Sequence, residues 1–319
     1  MQSQNELQRL VCSSSPHVRS GITIKKIMFA VVFSLLPAAG YGVYLFGMHA
    51  LLLILSSIGM AVLTEFGLQK IFRMKVTASD GSAIITGLLL AMIIPPSAPL
   101  YVPIIGSFFA IAIVKLAFGG LGSNIFNPAL AARAFLVASF PVAMTIWARP
   151  HVDGITGATP LGMLSESGMS AVLDHFKTKI AMYSAMFFGN TSGSLGETSA
   201  LLLLVGGLFL IAIRVISWRI PAMFIGSVYL CSFLFGKDPL MAVLSGGVFL
   251  GAFFMATDYV SSPTTTIGQI IFGLGCGMLT VLIRELASYP EGVMFAILLM
   301  NCAVPLIDRF TKPKTLGQK

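Results

Sequence analysis

Residues 27–46 read IMFAVVFSLLPAAGYGVYLF, twenty positions without one charged side chain. At 1.5 Å per residue a helix of that length is about 30 Å long, which is the thickness of a bilayer's hydrocarbon core. The run lacks the apolar/polar alternation of an outer-membrane barrel strand, so the span it predicts is a helix. Further apolar stretches of the same kind run near His49 to Phe72, Ala83 to Ile94, Leu100 to Phe118, Pro128 to Trp147, Ser199 to Ile216, Ile220 to Phe235, Leu240 to Ala256, Ile267 to Leu286 and Gly292 to Ile307. The rest of the 319-residue chain agrees with them: 56% is hydrophobic, and 10% is charged against about a quarter in soluble domains. Its mean hydropathy is +0.91. The fold class expected is all-α, a polytopic membrane protein with about ten transmembrane helices.

Within that pattern some stretches stand apart. The third is short and ends at Pro95-Pro96, which predicts an interrupted helix packed inside the bundle and away from lipid. The connections Gly119 to Asn127 and Thr257 to Thr266 are rich in Gly, Ser, Thr and Pro. Such breaks at membrane depth build binding sites, short exterior turns being the plain alternative. The organisation expected is an N-terminal segment 1–26, a first five-helix half 27–147, a loop 148–198, a second five-helix half 199–309 and a tail 310–319. Five spans on each side of the loop make any related halves inverted with respect to each other, although no sequence repeat is visible and the break-prone segments do not fall at matching places. The first 26 residues have no early apolar core, so they are expected to be retained and the first helix to direct insertion.

Charge sets the expected topology. With the N-terminus in the cytoplasm, thirteen Lys and Arg fall on that side, among them Lys25, Lys26, Lys70, Arg73, Arg214 and Arg309, and five on the other. Both termini are then cytoplasmic and loop 148–198 faces the outside or periplasm. The formal net charge of +8 carries no basic cluster with interleaved aromatics, so no nucleic-acid partner is expected. Cys12, Cys231, Cys276 and Cys302 are too scattered to ligate a metal and read as small buried hydrophobes. The seventeen methionines read as flexible packing between helices.

The loop holds Asp153-Gly154-Ile155-Thr156-Gly157-Ala158-Thr159-Pro160. Small neighbours leave the Thr159 hydroxyl accessible, and Pro160 keeps Thr159 itself out of a helix. This run resembles the signal by which a flavin transferase attaches flavin mononucleotide (FMN), through its phosphate, to the last threonine. Together with Ser14-Ser15-Pro16-His17, Ser79-Asp80-Gly81-Ser82, Asn127-Pro128-Ala129-Leu130 and the ten spans, it makes the chain resemble a family of bacterial inner-membrane subunits. That family holds the D subunits of Rnf ion-translocating oxidoreductases and the similar B subunits of sodium-pumping NADH:quinone oxidoreductases, the short N-terminal segment favouring the former.

The resemblance implies covalent FMN on Thr159, with Asp153, Thr156, Gly157 and Ala158 as the recognition residues, and a second, non-covalent flavin such as riboflavin between the helices. It implies other subunits of a membrane complex, membrane lipid and a flavin transferase as partners. The implied role is to relay electrons between those subunits, coupled to Na⁺ or H⁺ translocation, without being catalytic alone. The residues themselves agree on one point: with no dinucleotide-binding glycine fingerprint, iron–sulfur spacing or haem motif, NADH and ferredoxin fall to partners. A reading of another class, a passive channel or secondary transporter, draws on Asn127-Pro128-Ala129, the tripeptide of water channels, present here in one copy.

Ionisable residues inside spans are functional candidates by default. Arg133, on a helix flanking the Gly119 to Asn127 segment, is placed to meet a flavin phosphate, a reduced flavin anion or a carboxylate partner, and is expected to act electrostatically on a flavin there. Lys115, near a helix end, is expected to reach the interface. Glu65 and Asp258 are expected either to receive the translocated ion or to pair with Lys70, Arg73 or Arg133.

Overall fold

A computed structural model describes residues 23–150, 157–287 and 291–312. Its first helix, α1, covers Ile24–Ile71, 48 residues. Unbroken, that helix would be about 72 Å long, more than twice the thickness of the membrane core. Gly47, at φ 75°, breaks it into 24–46 and 48–71, each long enough to cross once. A side chain would strain that left-handed backbone, so glycine makes the break possible.

The remaining helices are α2 (Ser82–Met92), α3 (Tyr101–Phe109), α4 (Pro128–Ser139), α5 (Pro141–Thr145), α6 (Pro160–Phe176), α7 (Lys179–Phe188), α8 (Ala200–Ala212), α9 (Arg219–Leu234), α10 (Pro239–Leu244), α11 (Val248–Leu250), α12 (Thr266–Leu286) and α13 (Val293–Thr311). α3 continues into π-helical turns at Ala110–Leu116, and α11 does the same at Gly251–Met255. No strand occurs among the described residues. α1, α12 and α13 have the length and hydropathy of membrane spans, and α2, α3 with its π turns, α4, α8 and α9 are shorter apolar helices. The chain is an all-α polytopic membrane protein.

Two of the apolar stretches are not single helices. The one from Pro128 to Trp147 stops at Ser139, where Phe140 leaves the helical region (φ −132°, ψ 58°) ahead of Pro141, a position at which proline disfavours helix. The one from Leu240 to Ala256 is cut at Ser245, Gly246 and Gly247, the two glycines lying at φ 65° and 70°. With that second cut the halves show a common order of elements. A short helix is followed by a helix ending in π turns, a loop rich in small residues, and a helix capped by Asn127 or Thr265. The break-prone segments therefore do correspond, against the sequence expectation, because Gly246 and Gly247 divide 240–256 into two elements.

α2 is the buried interrupted helix that its length predicts, with nine of its eleven residues out of contact with solvent or lipid. Its last carbonyls lack helical partners. The segment before α8 supplies one, Gly196 N–H donating to Met92 O at 2.6 Å, and holds the turn that follows, Leu195 N–H donating to Ile94 O at 3.4 Å. This contact fixes Glu197 beside the bundle. The long loop contributes α6 and α7: Val172 of α6 and Met182 and Met186 of α7 form a small core with Met241 of α10.

α9 and α12 approach closely through small residues, as membrane helices do. A Cβ on Gly273 would lie 2.9 Å from Ile220 O, and one on Gly277 would fall on Ser227 Oγ and 2.6 Å from Phe224 O. Gly277→Val is expected to lower the thermal unfolding midpoint in detergent, corresponding to about 1–3 kcal/mol of overpacking. Gly226→Ala on α9, where a Cβ meets nothing, should leave it unchanged. Equal midpoints for both variants would show that the helices have room to spread.

Candidate flavin and ion sites

Thr159 is the N-cap of α6. Its backbone is extended (φ −70°, ψ 156°), its Oγ1 accepts the Gly162 N–H at 3.0 Å, and Pro160 takes the first helical position, where no donor is needed. The side chain is half-buried, so the hydroxyl is held in place yet reachable. A phosphoester there would sit at the positive end of a helix, a ready site for an anion. Gly157 donates to Trp147 O at 2.9 Å. Its missing side chain leaves a cradle, since a Cβ would lie 2.7 Å from Ser192 Oγ and 2.8 Å from Arg149 Cγ. Ala158 is exposed and lines a groove with Arg149, His175 and Lys177. Hydroxyl, helix end and cationic groove fit a bound phosphate. Asp153 and Thr156 lie outside the described residues.

A smaller cavity leads from Thr159 to two buried carboxylates, Glu197 and Glu291. Arg133 reaches them from α4: one of its terminal nitrogens contacts Glu291, and the other stands 3.8 Å from Glu197. Arg284 comes in from α12, donating to Ala242 O at 2.7 Å, Ser245 O at 3.0 Å and Gly246 O at 3.3 Å, the free carbonyls where α10 ends. Burial first, and the Glu291 charge second, push the Glu197 carboxyl up to about 7. Its geometry thus turns Arg133 toward carboxylates between α4 and the loop, while the Gly119 to Asn127 segment lies against another cavity.

That second cavity lies between α1, α2, α4, α8 and the break at 257–260. Its walls are mainly apolar, with Ser82, Thr86, Lys115, Asn124, Asn127 and Asp258 as polar points. This suits a flat aromatic ring with hydrogen-bonding edges. Asn127 caps α4, accepting from Ala129 and Leu130 N–H, and donates to Met255 O at 3.2 Å, tying the two halves together. Asp258 accepts from Ser261 Oγ at 2.9 Å.

Lys115 does not reach the interface. It projects inward from the π turns, 2% exposed, and donates to both Glu65 oxygens at 2.8 Å and to Ser82 Oγ at 2.6 Å. Glu65, fully buried, also accepts from Gln69 at 3.1 Å and Thr77 at 3.2 Å. Its cationic partner is therefore Lys115, and not Lys70, Arg73 or Arg133. The chain continues from Ser82 Oγ to Asp80 at 2.5 Å. Glu65 stands behind Lys115, whereas Asp258 lines the cavity directly.

The sequence reading missed Glu197, Glu291 and Arg284 as a group. Each lies at an edge of an apolar stretch, where charges are common, and Glu197 stands 87 positions before Arg284 (284 minus 197). A weak signal existed: Glu197 and Glu291 each stand within two residues of a span's start. The cysteines divide: Cys276 is buried, Cys231 half-buried and Cys302 exposed, while Cys12 lies outside the described residues.

A model of the NQR2, RnfD, RnfE family matches residues 11–317. The chain is 50% identical to the D subunit of the proton-translocating ferredoxin:NAD(+) oxidoreductase complex of Clostridium ljungdahlii, over 96% of each chain. It is 49% identical to the D subunit of the Na(+)-translocating ferredoxin:NAD(+) oxidoreductase complex of Acetobacterium woodii, over 98% of this chain and 96% of that one. The D subunit of the ion-translocating oxidoreductase complex of Stutzerimonas stutzeri is 42% identical, over 93% of each. Proton and sodium relatives are thus equally near.

Proposed function

Since the chain belongs to the NQR2, RnfD, RnfE family, we propose that it is a membrane subunit of an ion-translocating ferredoxin:NAD(+) oxidoreductase complex, and that within it the chain relays electrons through bound flavin. The observation that carries the flavin reading is the position of Thr159, a half-buried hydroxyl at a helix N-terminus beside a cationic groove. Bound there through its phosphate, FMN would supply one-electron redox chemistry. The chain's own part is to hold the phosphate with the α6 amide end and Arg149, and to keep α6 and α7 packed against α10 through the methionine core. The basic residues favour both termini in the cytoplasm of a bacterial cell and Thr159 on the periplasmic side of the inner membrane.

The cavity around Asn127 is the proposed seat of the second, non-covalent flavin such as riboflavin. Its apolar walls exclude water, and Lys115, Asn124 and Asp258 offer charge and hydrogen bonds to a ring edge. Glu65 and Asp258 are the proposed ion-path carboxylates. Glu65 has to release Lys115 before it can take up a cation, which would link ion binding to the charge in the cavity. A flavin transferase and the other complex subunits are the partners this reading requires.

Thr86→Trp separates the two flavins. Thr86 is buried and lines the cavity, so an indole there fills the space. Flavin extracted by acid from the purified chain is expected to fall at least tenfold, while flavin that stays on the chain in a denaturing gel is unchanged. Full acid-extractable flavin in Thr86→Trp would remove this cavity as its seat.

A further inference from the structure

We propose that Glu197 is a proton-exchange group for the Thr159 site, its carboxylate form taking up a proton when an electron arrives there and releasing it when the electron leaves. This rests on the reading that Thr159 carries flavin. Thr159, Glu197 and Glu291 line one cavity, so the anchor and the carboxylates share one space. The charges around Glu197 come from every element packed on it. Glu291 precedes α13, Arg133 stands on α4, and Arg284 and Glu285 lie near the end of α12. Ser194 is on its own loop, and Ser192 lies beside Arg149 near the anchor.

These groups do not serve the two acids equally. Arg133 contacts Glu291 and stays 3.8 Å from Glu197. Arg284 spends its terminal nitrogens on the carbonyls of Ala242, Ser245 and Gly246. Glu285 is engaged at 3.1 Å by Lys237. Glu197 therefore holds the less compensated charge, buried where water does not screen it. Burial and the Glu291 charge accordingly push its carboxyl above the ordinary carboxylate range. A negative charge added at the anchor raises its proton affinity further, because like charges in a low-dielectric site disfavour each other.

The exchange balances. One electron enters from a donor subunit of the complex, one proton enters from exterior water onto a Glu197 carboxylate oxygen, and the net charge of the cavity is unchanged. The reverse step returns both. Burying a lone added charge would be far more costly than moving this neutral pair.

The test is redox-difference infrared spectroscopy on the assembled complex, after gel fluorescence has established covalent flavin in each variant. On reduction the natural protein should gain a carboxylic acid C=O band that shifts in D₂O. Glu197→Gln should lack that band, and Glu197→Asp should regain one at a different frequency. A natural protein that carries covalent flavin but shows no such band overturns the proposal, as does a band that persists in Glu197→Gln. Absence of covalent flavin from the natural protein would instead overturn the anchoring reading, and this one with it.

Discussion

Thr159→Asn is expected to give a full-length, membrane-inserted chain with no ultraviolet fluorescence on a denaturing gel, and a complex that no longer carries electrons through this subunit. Asparagine caps a helix at least as well as threonine, accepting the same amide hydrogen, so α6 should begin where it does now. It has no hydroxyl to esterify. The change therefore removes the attachment chemistry and spares the fold, which Thr159→Ala would not, since losing the cap costs about 0.5–2 kcal/mol. Unaltered fluorescence in Thr159→Asn would move the attachment elsewhere, Thr156 being the next hydroxyl in the motif. A chain that is unstable as well as dark would point to α6 and not to chemistry, and the thermal midpoint distinguishes the two.

Lys115→Met is expected to be among the most destabilising single changes in the bundle. It leaves Glu65, fully buried, without the ammonium that meets both its oxygens. Stranding one member of a buried pair costs about 3–5 kcal/mol, whereas replacing both with apolar groups of like volume is often neutral. Glu65→Leu added to Lys115→Met should therefore recover most of the lost thermal stability. Gln69 and Thr77 would still have lost their acceptor, so recovery should be incomplete. If the double variant is no more stable than the single one, the pair is not the reason for the loss. Ion transport should fail in both, which separates stability from the proposed ion path.

How much of this could be read from residues follows physical lines. Membrane spans were legible because mostly apolar runs of about twenty residues fit a bilayer crossing and little else, and the Gly47 break fell between two of them. Thr159 was legible too: a proline that follows disfavours helix at the threonine, and Thr159 is the cap from which Pro160 starts α6. The breaks at Phe140 and at Gly246-Gly247 were not drawn, although Pro141 and the paired glycines marked them; apolar content around them outweighed the local backbone signal. Partners of the buried charges were the least legible. Lys115 and Glu65 are 50 positions apart, and Arg133 and Glu291 are 158. Hydropathy ranks each residue alone, while a buried charge is decided by whichever opposite charge the fold delivers to it.

The most direct test of the central claim is the mass of the chain purified from its own host, measured intact and then by fragmentation across residues 150–177. The account predicts an increase equal to one FMN joined with loss of water, located on Thr159. An unmodified mass for the whole population, from a complex that still transfers electrons, would contradict it.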